Sequence, residues 1–354
     1  MTYLDYQATT PLAREALAAM LPWLESNHAN PHSAHAAGRA ARAAIKVARE
    51  QVAAILPVGG QVTFTSGATE ALNWAIKGVP GPIATYATEH AAVLDTARAG
   101  GRARVAGVDR DGRVAPQDFA EVALVAAMLV NNEIGTIQPI DALADRAHAA
   151  GALLLCDAVQ GYGRVAIPDS CDLIAISAHK IHGPKGIGAL WIRDGVTLEP
   201  LLHGGGQEAA GRSGTLSPAL CAGFGAAATL AAERFEADHA HVAHLFDRAV
   251  DALGPGWTIN GSVAHRYRGN LNIRRDGLDV ARLMSDCRDI AFSAGSACAS
   301  GSGRPSHVLQ AIGLTRDQAR SSIRLGFGRY TTEGELLAAI ARIDAAARTQ
   351  DIAA

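Results

Sequence analysis

Apolar positions between residues 34 and 56 recur at spacings of four and three: Ala41, Ile45, Ala48, Val52 and Ile55, with Arg and Glu opposite them. That period predicts an amphipathic helix over Ala34–Leu56. From residue 62 the pattern changes. Short apolar runs without alternation at Val62–Thr65, Ile83–Tyr86, Leu124–Val130, Ala152–Cys156, Leu173–Ser177 and Gly188–Ile192 predict strands. Helical stretches at Ala68–Lys77, Ala91–Ala99 and Asp141–Ala150 lie between them. Strands that are apolar on both sides and separated by helices point to a mostly parallel sheet covered on both faces. Ser217–Leu253 then reads as one long helix that stops at Gly254-Pro255-Gly256, the predicted domain boundary. Beyond it come a strand at Asn270–Ile273, a helix at Val280–Asp286, a strand at Ala291–Ser293, a helix at Ser306–Ile312, a strand at Ser322–Phe327 and a helix at Glu333–Ala346. This order predicts a compact α+β unit.

The 354 residues suffice for a large domain and a smaller one. A net charge of −2 offers no electrostatic case for nucleic acid or an anionic membrane. The opening residues Met1–Pro11 lack a basic start followed by an apolar run, so no signal peptide is expected. The longest apolar runs, such as Val122–Val130, are too short to span a bilayer. The five cysteines (Cys156, Cys171, Cys221, Cys287 and Cys298) are odd in number and form no CxxC pair, so neither a zinc ribbon nor a disulfide framework is expected. A reducing cytoplasm is the simplest reading. His28, His32 and His35 could share a helix face only without the intervening Asn30-Pro31, so no metal site is expected.

Four stretches carry candidate chemistry. In Ser177-Ala178-His179-Lys180-Ile181-His182-Gly183-Pro184-Lys185-Gly186 a lysine directly follows an apolar strand. Such a lysine is either solvated on a surface turn or buried, and burial lowers its pKa and suits it to Schiff-base chemistry. Asp157 ends another apolar strand, where open α/β sheets bind ligands. It reads either as a turn or cap residue or as the partner of a protonated ring nitrogen. Thr65-Ser66-Gly67-Ala68-Thr69-Glu70 is a small-residue turn into a helix, which serves as an ordinary cap or as an anion site for a phosphate. Finally, Cys298 lies within Ser293–Gly303, a Gly, Ser and Ala run that packs little. It is either a linker residue or an exposed reactive thiol. Cys156, by strand alternation, points away from the face that Asp157 serves.

The order and spacing of these pieces resemble the cysteine desulfurases of the nitrogen-fixation and iron–sulfur-cluster type, among the class-V aminotransferase-like enzymes. The resemblance runs from Tyr3–Pro11 and Asn30–Ser33 through Thr65–Glu70, Thr88–His90, Asn131–Gly135, Asp157–Gln160 and Ser177–Gly188. It continues through His203–Glu208, Arg212–Thr215, Gly295–Cys298 and Ser321–Arg324. It implies pyridoxal 5'-phosphate fold type I, aspartate-aminotransferase-like α/β. The large PLP-binding domain would span residues 13–253, and residues 1–12 with 254–354 would form a small domain carrying the catalytic-cysteine loop. It implies that Lys180 holds pyridoxal phosphate, Asp157 pairs with the ring nitrogen, Gln160 bonds the ring hydroxyl, and His90 stacks on the ring and helps move protons. Ala68, Thr69, Ser177, His179 and, from a partner subunit, Thr215 would hold the phosphate. Asn131 and Arg324 would hold the carboxylate of L-cysteine, and Cys298 would accept sulfur as a persulfide while L-alanine leaves. A homodimer and a sulfur-acceptor protein are implied as partners, with no direct nucleic-acid or membrane contact.

The chain departs from many relatives at Leu129, where they have His, at Ala209-Ala210-Gly211, and at Arg304. A selenocysteine lyase or a transaminase of the same fold would use Lys180 and Asp157 too, and the Cys298 loop favours sulfur chemistry. A non-catalytic assembly protein would not need Lys180, Asp157, His90, Arg324 and Cys298 together.

Overall fold

A computed structural model describes residues 1–115, 117–295 and 305–351. The chain runs β1 (Thr2–Tyr3), α1 (Arg14–Glu25), α2 (Ala36–Ala53), β2 (Gly60–Thr65), α3 (Ala68–Gly78), β3 (Ile83–Tyr86), α4 (Ala91–Ala99) and β4 (Ala103–Ala106). It continues with β5 (Leu124–Met128), α5 (Ile140–Ala149), β6 (Leu153–Asp157), β7 (Leu173–Ser177), β8 (Gly188–Arg193), α6 (Pro218–Glu233) and α7 (Phe235–Ala252). Then follow β9 (Thr258–Ile259), β10 (Asn270–Arg274), α8 (Val280–Asp286), β11 (Ile290–Ala291), β12 (Ser293–Ala294), α9 (His307–Ala311), α10 (Arg316–Arg320), β13 (Ser322–Gly326) and α11 (Glu333–Asp351).

Seven strands form one sheet in the order β2-β8-β7-β6-β5-β3-β4. All its strand pairs are parallel except those of β8, which runs antiparallel to both neighbours. The apolar runs explain the layering. Along β5 to β8, successive residues alternate between two apolar clusters: Ala127, Cys156, Ile174, Ile176 and Trp191 face α2 and α6. Ala126, Leu155, Leu173, Ala175 and Leu190 face α3 and α4. Every residue of β5 and β7 is buried. Each large aliphatic side chain so buried contributes about 1.5–3 kcal/mol, which exceeds the ~1–2 kcal/mol cost of fixing its backbone.

The remaining strands form a four-stranded sheet, β12-β13-β10-β9, and the pair β1-β11. The amino terminus belongs with this part: Thr2 and Tyr3 pair in parallel with Ile290 and Ala291, and Asp5 bridges to Gly326.

The structure departs from the expected elements in several places, and it adds β1, α1, β4, β9 and α10, which the sequence pattern does not predict. The helix expected over Ser217–Leu253 is two helices, interrupted at Arg234 (φ −102°, ψ 3°). A one-residue break barely disturbs the phase of a 3.6-residue repeat, so the pattern reads through it. The strand expected at Ala291–Ser293 is split, because Ile290–Ala291 pairs with β1 and Ser293–Ala294 with β13. Helix α1 carries Pro22 in its interior and leaves Leu17, Leu21 and Leu24 exposed, so its pattern lacks a clean polar face. His35, set aside as a metal ligand, instead caps α2, its Nδ1 accepting from the Gly38 N–H at 3.2 Å. Among the described residues no helix is long and apolar enough to cross a membrane.

Candidate active site

The carboxyl ends of β2, β6 and β7 lie side by side, with Thr65 and Ser177 both in register with Gly188 of β8. Gly188 has no room for a side chain: a Cβ there would sit 2.6 Å from the Ile176 carbonyl and 2.8 Å from the Gly67 backbone. That close approach brings the turn before α3 onto the strand ends. A cavity of about 520 Å³ opens there, lined among others by Gln7, Gly67, Thr69, His90, Asp157, Gln160, Ser177, His179, Lys180 and Arg324.

Lys180 ends a short 3-10 turn, Ala178–Lys180, after β7. Its Nζ donates to the carbonyls of Gln7 (2.6 Å) and Ala8 (2.7 Å). It is therefore a half-buried amine resting on main chain. The amino-terminal segment is held in place by the turn that follows. Thr10 Oγ1 donates to the His179 carbonyl at 2.9 Å and accepts from the His182 N–H at 2.8 Å. His182, at φ +69°, is in the left-handed region that non-glycine residues rarely adopt. Burial, then the nearby Arg329, pushes its pKa down to about 4, so it is neutral near pH 7.

Asp157 is 6% exposed at the end of β6, and its Oδ1 accepts from the Val159 N–H at 3.0 Å. Burial pushes its carboxyl up, and the nearby His90 and Lys180 pull it partly back. His90 caps α4, its Nδ1 accepting from the Ala92 N–H at 3.0 Å. Gln160 Nε2 donates to the Gln7 carbonyl at 2.9 Å. Behind Asp157, Glu89 is fully buried, and burial raises its pKa well above the carboxylate range. Its Oε1 accepts from the Met128 N–H at 3.0 Å, and its Oε2 has no partner among the described residues.

At the other end of the cavity, Gly67 caps α3 without a side-chain hydrogen bond, and a Cβ on it would meet nothing within 4 Å. The first N–H groups of a helix have no acceptor within the helix, so Ala68 and Thr69 offer donors to an anion. Ser177 and His179 complete this cup. His179 Nδ1 lies 3.1 Å from Thr9 Oγ1, and burial, then Lys180, pushes the imidazole down to about 4. Lys185 also lines the cavity.

Arg324, 1% exposed, projects from β13. Its Nη2 donates to Asp5 Oδ1 (2.7 Å) and Ser293 Oγ (3.3 Å), and its Nη1 to the Asn132 carbonyl (2.9 Å). Asn131 is not in the cavity wall. Its Nδ2 donates to the Thr88 carbonyl and Met128 Sδ, while its Oδ1 accepts from the N–H groups of Glu133 and Ile134. Its whole hydrogen-bonding capacity is thus taken by its own chain, and the residue of this turn that lines the cavity is Asn132. Thr215 is exposed and outside the cavity of its own chain. The segment before it is tied down by Arg49, which grips Glu208 at 2.6 and 2.7 Å, and by Arg212, which donates to Glu70 at 2.8 and 3.2 Å. Burial pushes the Glu70 carboxyl up, but the bonds from Arg212 and Ser66 prevail and hold it down. Cys298 lies outside the described residues, as does Arg304. The other four cysteines are buried, and Cys156 faces the core cluster away from the cavity, as strand alternation requires.

This donor set fits pyridoxal phosphate. Open space over unpaired helix N–H groups suits its phosphate. A buried carboxyl, uncomfortable as an anion, suits its protonated ring nitrogen, which would draw that pKa back down. An amine at the wall suits its aldehyde.

The chain is similar to known proteins over nearly its whole length. The aminotransferase class-V family model matches residues 2–338. The cysteine desulfurase IscS of Rickettsia bellii is 40% identical over 360 residues, covering 94% of this chain and 88% of the relative. The mitochondrial cysteine desulfurase of Saccharomyces cerevisiae is 43% identical over 359 residues, covering 94% of this chain and 72% of the relative. Among solved structures, a NifS-like protein superposes with a TM-score of 0.88 at 31% identity, covering 97% of this chain and 98% of the other. SspA, solved in complex with cysteine, superposes with a TM-score of 0.82 at 32% identity, covering 94% of this chain and all of the other. This chain belongs to the class-V aminotransferase family, on its cysteine desulfurase branch.

Proposed function

We propose that this chain is a pyridoxal-phosphate-dependent cysteine desulfurase, which turns L-cysteine into L-alanine and passes the sulfur to Cys298 as a persulfide. The observation that carries the reading is the convergence of Lys180, Asp157, Gln160, His90 and Arg324 on one cavity whose far end is an open helix start.

Bound pyridoxal phosphate supplies an electron sink for the substrate Cα. The residues of the chain do the rest. Lys180 Nζ would hold the cofactor covalently, and its free amine would take the proton from the substrate Cα. Asp157 would keep the ring nitrogen protonated, and Gln160 would bond the ring oxygen. His90, beside both, assists proton transfer. The turn at Ala68 and Thr69, with Ser177 and His179, holds the phosphate, and Thr215 joins them from a partner subunit. Arg324 grips the substrate carboxylate with its planar fork, and Asn131 braces the turn from which Asn132 faces the cavity. The Cys298 thiolate attacks the substrate sulfur: an S–S bond forms, the Cβ–S bond breaks with its electron pair left on the carbon side, and one proton takes the place of the sulfur at Cβ.

The two lobes of this reading are residues 13–253 and residues 1–12 with 254–354. It places the enzyme in the cytoplasm as a homodimer that delivers sulfur to an acceptor for iron–sulfur cluster assembly, tRNA thiolation or another sulfur cofactor. A test follows from the division of labour. Cys298→Ser is expected to keep bound, coloured cofactor and to lose sulfur transfer, read by mass spectrometry of the persulfide. Normal desulfuration by this variant would refute the role of Cys298.

A further inference from the structure

Arg164 is outside the cavity wall but holds two residues that are in it. It follows the turn after β6, where its main-chain N–H donates to the Gly161 carbonyl at 2.8 Å. Its Nη1 donates to Gln160 Oε1 at 2.6 Å and its Nη2 to the Lys180 carbonyl at 2.5 Å. The guanidinium lies over the Tyr267 ring, 5.3 Å from the centroid. Among the described residues no carboxylate pairs with it. Burial lowers its pKa, and the neighbouring Arg329 lowers it further. A half-buried cation beside another cation is costly without a role.

The role lies in the direction of one amide. A glutamine side chain offers one acceptor oxygen and two N–H donors. Arg164 can only donate, so the atom it touches on Gln160 is the oxygen. The Gln7 carbonyl can only accept, so the atom it touches is the nitrogen. The orientation is fixed from both ends, and what remains for the cavity is the second N–H. We propose that Arg164 is a positioning residue: it locks the Gln160 amide so that a donor, never an acceptor, meets the ring oxygen of the cofactor, which is thereby held ionised. This rests on the reading above that Gln160 faces that oxygen. The same guanidinium ties the Lys180 main chain to Gln160, so the amine and the ring are aligned by one group.

The test is the visible spectrum of the purified protein reconstituted with pyridoxal phosphate at one fixed pH near neutral. An ionised ring oxygen favours the longer-wavelength band of the lysine-bound cofactor over the shorter one. Arg164→Met removes one of the two holds on the amide and is expected to lower the ratio of long to short band by about fivefold, the equivalent of one hydrogen bond. Gln160→Glu places an acceptor at the same spot and is expected to shift the ratio in the same direction. The double variant is expected to shift it no further than the larger single change, because both act through one contact. Arg164→Lys keeps the cation but not the fork and is expected to fall between wild type and Arg164→Met. It also serves if Arg164→Met does not fold. A wild-type ratio in the folded Arg164 variants, alongside a shifted Gln160→Glu, would overturn the positioning role. A wild-type protein that shows no visible band at all would overturn the cofactor reading instead.

Discussion

The two ends of the cavity are built on opposite plans. At the floor, Gln160 and Lys180 are each bonded to the amino-terminal segment, and Asp157 accepts from the backbone beside it. At the cup, Gly67 opens the start of α3 onto empty space, and the first backbone N–H groups of that helix stand beside Ser177 and His179. A ring needs each polar atom met in one orientation, so its floor is tied down by side chains with defined donors and acceptors. A phosphate accepts hydrogen bonds from many directions, so a bare helix start serves it. The floor should therefore fail by losing chemistry, and the cup by losing affinity.

The sharpest way to break that contrast is at the amine. Lys180→Ala is expected to lower alanine production by about 100- to 10,000-fold and to prevent reducible covalent attachment of the cofactor, while the cup still binds it reversibly. Borohydride trapping and alanine assay read both. Next is Arg324→Gln, which removes the fork proposed to grip the substrate carboxylate. It is expected to raise KM for cysteine by about 10- to 100-fold, as for one charge-assisted contact, with cofactor binding unchanged. Steady-state kinetics read it, and an unchanged KM would take Arg324 out of substrate binding. At the cup, Gly67→Ala places a methyl where nothing now lies within 4 Å. It is expected to weaken cofactor affinity about tenfold with a folding cost of only about 1 kcal/mol, read by fluorescence titration and thermal melting.

The smallest effect lies beneath the floor. Burial raises the Glu89 pKa in the folded chain, whereas unfolded chains release that proton above the ordinary value of 4.5. Its contribution to stability is thus fully present below 4.5 and is lost as pH rises toward the folded pKa. Glu89→Gln removes the slope. The variant is expected to gain on wild type by about 2–4 °C in Tm near neutral pH and by nothing in acid. An equal gain at both pH values would show that burial does not raise the Glu89 pKa.

Much of this site is legible in the sequence, for a physical reason. Lys180, Asp157 and the Ser66–Thr69 turn each directly follow or end a buried strand, and apolar strands are the strongest pattern in the chain. What brings Arg324 to them is tertiary: it comes from another sheet, and its placement depends on Asp5 and the Asn132 carbonyl. The carbonyls of Gln7 and Ala8 under Lys180 leave no trace in residue identity, because any residue supplies a carbonyl. Arg164 has the same difficulty, since a lone arginine after a Gly-Tyr-Gly turn reads as surface. Asn131 and Asn132 are adjacent, and only the hydrogen bonds distinguish the one that folds the turn from the one that faces the cavity. The break at Arg234 is hidden because both helices keep the same phase.

The most direct measurement supplies L-cysteine to the purified protein reconstituted with pyridoxal phosphate and quantifies alanine together with the peptide that carries sulfane sulfur. Alanine accompanied by a persulfide on Cys298, both lost in Lys180→Ala, is the predicted result. Undiminished alanine formation in Lys180→Ala, or alanine from wild type with the persulfide on another cysteine, would contradict the account.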